Sequence, residues 1–207
     1  MRRRFSLKAI CGRSCRQRCL LLLLLALLAG VYPGWLMVSG NFHPIPGGHA
    51  YRSGQLSPGR LADVLQTHHI RSVVNLRGAN PGKPWYETEL ALCQQAGVAH
   101  FDFELGSSRM ASADDLERLA AILRTAPKPV LLHCNGGADR TGLAAALFRL
   151  NVEGDPPPAA AEELTWVYGH IPCLWWSKTS AMDESFWQYA RNHPGANSVP
   201  DAPLNAW

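Results

Sequence analysis

The tightest constraint in this sequence is the run VLLHCNGGADRTGLAAALF, residues 130–148. An apolar stretch ends in His-Cys, two glycines and an aspartate follow, and an alanine- and leucine-rich stretch begins after Arg140. The first stretch reads as a buried strand and the last as a helix. A strand that passes into a helix through so short a loop builds an anion site. The backbone N–H groups of Asn135, Gly136, Gly137, Ala138, Asp139 and Arg140 can turn inward, and the helix N-terminus adds partial positive charge. Gly136 and Gly137 let that backbone curl without Cβ clashes. Arg140 offers a planar fork for two oxygens of a tetrahedral oxyanion. Cys134 lies at the base of the loop, where these dipoles favour the thiolate and aim a nucleophile at a bound phosphate.

HCNGGADRTG resembles the H-C-x5-R-[ST] signature of the protein tyrosine and dual-specificity phosphatase superfamily. YRSGQLSP, VVNLRG and YGHIPCLWW are similar to other segments of its small bacterial dual-specificity-like branch, so the resemblance covers about residues 50–190. It implies an α/β, three-layer cysteine-phosphatase fold with a central, mostly parallel sheet flanked by helices. It implies Cys134 as nucleophile and Arg140 as phosphate clamp. His133 would order the loop and tune the thiolate, and the Thr141 hydroxyl would meet the Cys134 sulfur. The implied reaction forms a cysteinyl-phosphate that water then hydrolyses, with no metal or cofactor. The substrate would be a phosphorylated protein or a small phosphomonoester. Phosphotyrosine is slightly preferred over a phosphoinositide, because the loop lacks the extra lysine of phosphoinositide-directed loops.

The general acid departs from the pattern. In the resembled family it follows the strand matching VAHFDFEL (98–105), yet the loop here reads GSSRMASADD, with Ser107 and Ser108 at the expected place. Asp139 is the first replacement, as in the C-x4-D-R-T loops of myotubularin-like and bacterial triple-specificity lipid phosphatases; its alternative role is to brace the loop. Asp102, on the wet face of the strand, is the second. Asp114 and Asp115 suit the first turn of a helix capped by Ser112.

Around the loop, 71–78 and 98–105 read as strands. Helices are expected after Ser57 with Pro58 first, over 83–96 ending at Gly97, after Ser112, over 158–170 and over 183–193. Arg52 and Arg77 read as turn braces, with shaping the site's rim as their alternative role. Arg109 reads as a surface cation, with holding an anionic substrate as its alternative, and Trp166, Trp175, Trp176 and Trp187 read as packing residues. Cys93 and Cys173 could pair in an oxidising compartment or stay as buried thiols. The alternating elements place a catalytic domain at 50–193, after a Pro/Gly-rich linker at 39–49 and before a disordered tail at 194–207.

The N-terminal segment 1–19 carries seven cations and no acid; subtracting them from the net +4 leaves −3 for the rest, which argues against a nucleic-acid partner. Residues 20–38 contain no charge, and 19 helical residues span about 28 Å, close to a bilayer core. A single-pass anchor in the inner membrane is expected, with the domain outside the cytoplasm, in the periplasm of a bacterium. Read instead as a signal h-region, the segment would release the domain on cleavage. Two other readings of the loop stand beside a phosphatase: a rhodanese-like sulfurtransferase, and a phosphate-binding module without turnover.

Overall fold

The computed structural model describes residues 34–172 and 180–193, together with a few positions between 17 and 32. Five strands form one sheet: β1 (His43–Ile45), β2 (Ala50–Ser53), β3 (Ser72–Asn75), β4 (Ala99–Asp102) and β5 (Val130–His133), in the order β1-β2-β5-β3-β4. The pairs β2–β5, β5–β3 and β3–β4 are parallel, and β1 closes the far edge antiparallel to β2. Parallel neighbours need crossovers, supplied by α1 (Pro58–Thr67), α2 (Pro84–Ala96) and α3 (Ala113–Thr125). After β5 come α4 (Asp139–Phe148), the short α5 (Pro157–Ala160) and α6 (Ser180–Asn192). The expected three-layer α/β fold is present.

Alternation along the strands sorts two cores. Val73 and Leu131 join Leu61, Val64 and Leu65 of α1 and Cys93 of α2 on one face. Val74, Val130 and Leu132 join residues of α3, α4 and α6 on the other. Strands covered on both faces carry the near-continuous apolar runs seen at 130–132. The register pairs His133 with Ser53 and Asn75, and Asn75 with Asp102, so the carboxyl ends of the parallel strands share one edge. The Cys–Arg loop leaves the sheet there, at the central strand.

Several helix signals act as expected. Pro58 takes the first turn of α1, although the Ser57 side chain makes no capping bond. Gly97 ends α2 in the left-handed region, and the Ser112 hydroxyl accepts the Asp115 N–H at the start of α3.

Other expectations are corrected. Within the segment 39–49 expected as a linker, His43–Ile45 form edge strand β1, and Asn41 and Ile45 are buried. The helix expected over 158–170 shortens to α5 and two single tight turns, Ala161–Glu163 and Trp166–Tyr168. The path bends because Glu163 is drawn into a fully buried ion pair with Arg52, while Thr165 is extended and Gly169 left-handed. Trp166, expected to pack, is 67% exposed. Trp187 packs against the larger core as expected.

Most of the apolar segment 20–38 lies outside the described residues, as do Cys173, Trp175, Trp176 and the tail at 194–207. Among the described residues no helix is long and apolar enough to cross a membrane.

Because Ile45 is 1% exposed, Ile45→Ala should cost roughly 2–5 kcal/mol in urea unfolding. A linker residue at that position would leave the midpoint unchanged.

Candidate active site

The loop after β5 is shaped from outside, through its carbonyls. The Gln55 N–H donates to the Asn135 carbonyl at 2.9 Å, and Asn41 Nδ2 donates to the Gly136 carbonyl at 3.0 Å. Arg52 Nη2 donates to the carbonyls of Gly137 and Ala138, at 2.9 and 3.3 Å. In a planar trans peptide the N–H of the next residue points opposite to each carbonyl. Anchoring the carbonyls of 135–138 outward therefore turns the N–H groups of 136–139 inward, over Cys134. The Gly137 N–H duly donates to Cys134 Sγ at 3.3 Å. Cys134 itself is nearly buried at the loop's base.

The two loop glycines are not equivalent. Gly137 has φ +75°, and a Cβ there would sit 2.5 Å from the Gly54 nitrogen. Gly136 has no atom within 4 Å of an added Cβ and no positive φ. The expectation that both are needed for curling holds at Gly137 alone, where the loop packs directly on the end of β2.

Two buried networks hold these anchors. On one side of the sheet Arg52, fully buried, binds the Glu163 carboxylate at 2.7 Å and the Glu163 carbonyl at 2.8 Å, and stacks 3.7 Å from the Tyr168 ring centroid. Glu163 also faces Arg149 at 3.5 Å. On the other side, Glu89 of α2 accepts from Gln55 Nε2 at 2.8 Å and meets His100 and His133 at 3.0 and 3.1 Å. Burial alone would raise the Glu89 proton affinity, but these bonds hold it well below the usual carboxylate range. His133 thus orders the loop's base through Glu89, and its Nδ1 reaches the Cys134 carbonyl at 3.4 Å. Gln55 passes the network on to Arg77, whose Nη1 donates to Gln55 Oε1 at 2.8 Å while its guanidinium stacks 3.6 Å from the Trp85 ring centroid. Arg52 and Arg77 are braces, as expected. Nothing local in the sequence marks Asn41 or Glu89 for these roles.

Arg140 is half-buried at the rim, its Nη1 3.5 Å from the Leu76 carbonyl. Burial lowers the proton affinity of the Arg77 guanidinium, and the charge of Arg140 lowers it further. The Thr141 hydroxyl corrects its expectation: it donates to the Ser53 carbonyl at 3.3 Å rather than to the cysteine sulfur. Arg109, where the usual acid is missing, folds back over Gly106.

The two candidate acids lie in different settings. Asp102 pairs in register with Asn75, which pairs with His133, so it is two strand spacings (about 10 Å) from β5. It shares the face of His133, opposite to that of Cys134. Its carboxylate accepts from Asn75 Nδ2 at 2.8 Å and from the Tyr86 hydroxyl. The structure does not bring Asp102 to the loop's interior. Asp139 stands in the loop itself, at the start of α4, with its side chain 28% exposed. Its Oδ1 accepts from His170 Nδ1 at 2.7 Å, and His170 Nε2 meets Asp183 at 2.8 Å. Cys93, a buried thiol pushed up to about 12 by burial and by Glu89, lies in the other core.

A model of the tyrosine phosphatase family matches residues 37–156, more than half of the chain, and the chain belongs to that family. The match starts just before β1, in keeping with its place in the domain. The dual-specificity protein phosphatase TpbA of Pseudomonas aeruginosa is 46% identical over 55 residues, a quarter of either chain's length. The crystal structure of P. aeruginosa TpbA in complex with phosphotyrosine superposes with a TM-score of 0.52 at 24% identity, over 73% of this chain and 91% of that one. The core catalytic domain of the PP-IP phosphatase SIW14 of S. cerevisiae, in complex with citrate, gives 0.53 at 18% identity, over 74% and 93%. These likenesses show the fold.

The contrast between the glycines gives a direct check. Gly137→Ala should reduce any activity of the loop at least tenfold, since displacing a reactive group by about 1 Å costs on the order of 100-fold. Gly136→Ala should stay within about threefold in the same initial-rate assay.

Proposed function

We propose that the protein is a phosphomonoester hydrolase acting through a cysteinyl-phosphate at Cys134. The observation that carries this reading is the outward anchoring of four consecutive loop carbonyls, which leaves an amide-lined cradle above the Cys134 sulfur with Arg140 at its rim. Sulfur attacks phosphorus, while inward amides and Arg140 hold the non-bridging oxygens as charge moves onto them. Asp139 protonates the departing oxygen, and water then attacks the phosphorus of the cysteinyl-phosphate, freeing phosphate and the thiolate.

Protein phosphotyrosine is the substrate class this reading favours, supported by the TpbA likeness. Arg140 Nη1 reaches the carbonyl of Leu76, the residue before Arg77, and two cations so close in the chain's path favour a second reading, a small molecule bearing several phosphates. The basic segment 1–19 and the uncharged run 20–38 support a domain anchored at the inner membrane and facing away from the cytoplasm.

Initial rates on p-nitrophenyl phosphate and on an alkyl phosphate test the chemistry. Cys134→Ser should lower both by about 1,000-fold or more. Asp139→Asn should lower the alkyl rate by about 100-fold or more while costing the aryl ester, with its good leaving group, under tenfold. Vanadate binding without turnover in the wild type would make the site a binding module and sink the proposal. A selective alkyl loss in Asp102→Asn would move the acid there.

A further inference from the structure

An aspartate that serves as the acid has an unusual partner here. His170 is fully buried, and both ring nitrogens are taken up by carboxylates: Nδ1 by Asp139 at 2.7 Å, Nε2 by Asp183 at 2.8 Å. Neutral imidazole has one N–H, so it can donate to only one of them; the doubly protonated ring donates to both. Burial disfavours that charge, but the two carboxylates outweigh it, and His170 is pushed up to about 9. The ring is held from its backbone as well, where its N–H donates to the Thr165 carbonyl. Asp139 comes from the N-terminus of α4 and Asp183 from the first turn of α6; these are the titratable groups bonded to the ring among the described residues. An aspartate facing an imidazolium is by itself a poor proton donor, yet the pair together holds one transferable proton.

We propose that His170 is the positioning residue and proton store of this site, delivering through Asp139 the proton that the leaving oxygen takes. This rests on the reading of Asp139 as the acid. In the resting state the Asp139 carboxylate accepts the Nδ1–H of the imidazolium. As the phosphorus–oxygen bond breaks, that proton passes to Asp139 Oδ1. The carboxyl group turns about its broad two-fold χ2 torsion and gives the proton to the alkoxide. Neutral His170 is left donating Nε2–H to Asp183. When water attacks the cysteinyl-phosphate, its proton goes to the Asp139 carboxylate and on to Nδ1, restoring the imidazolium. One proton leaves with the alcohol, one arrives from water, and no other reactant is required. Asp183, 29% exposed, fixes the ring's far side and favours its charge.

The ratio of alkyl to aryl phosphate turnover, measured against pH, tests this, because ionisation of Cys134 is common to both substrates. In the wild type the ratio should hold until the imidazolium loses its proton near pH 9. In His170→Gln, whose amide holds no transferable proton, the ratio should fall at least tenfold at pH 7 with the aryl rate changed far less. Asp183→Asn leaves the Asp139 contact in place and should move the alkaline limb of the ratio to lower pH, by about one unit. It carries the test if the glutamine variant fails to fold. Equal losses on both esters in His170→Gln, or an unmoved limb in Asp183→Asn, would overturn the relay and leave His170 a structural clamp. If Asp139→Asn itself leaves the ratio unchanged, the acid is not Asp139 and the underlying reading has failed. If Asp139→Asn lowers the ratio and the His170 and Asp183 variants do not, the relay alone is wrong.

Discussion

Outward capture of the loop carbonyls is the interaction on which the rest of the site depends. Four carbonyls in a row would otherwise be free to rotate toward the space above Cys134, where each would repel a phosphate. Gln55, Asn41 and Arg52 hold them away, all from the one segment 41–55 that carries β1 and β2. Each captured carbonyl fixes the N–H of the following residue on the opposite side, so one set of bonds fixes two sets of dipoles. Preorganised in this way, the cradle needs no reorganisation when an oxyanion arrives.

Holding the loop from outside requires charges in places where charges are costly. Arg52 and Glu163 are both essentially unexposed, and Glu89 lies under the loop between two histidines. A buried pair of this kind is weak evidence for stability, since desolvation offsets much of the attraction. Its value here is positional: a guanidinium with fixed geometry can reach two consecutive carbonyls and a carboxylate at once. Removing Glu163 leaves the Arg52 guanidinium buried without its carboxylate, typically about 3–5 kcal/mol worse. The loop is therefore as rigid as the networks beneath it.

Much of this was legible in the sequence, for a local reason. Cys134 to Thr141 is contiguous, so residue types and spacing alone describe the loop, and β5 and α4 flank it with strong periodic signals. The supports were not legible because they are long-range: Asn41 lies 95 residues from Gly136, and Arg52 lies 111 from Glu163. One signal was available, since Arg52 shares a strand face with buried Ala50. The bend after α5 was missed because helical periodicity continues through Glu163, while a buried partner remote in sequence pulls that residue out of the helix. His170 follows Gly169 and precedes Ile-Pro, a turn by composition, and nothing local marks it as the meeting point of two carboxylates.

The most direct test of the cradle is a crystal structure of the protein soaked with vanadate. The account predicts vanadium bonded to Cys134 Sγ, its equatorial oxygens within hydrogen-bond distance of the N–H groups of 136–139 and of Arg140, and the carbonyls of 135–138 still turned outward. Vanadate bound away from Cys134, or a loop whose carbonyls point at the oxyanion, would contradict it.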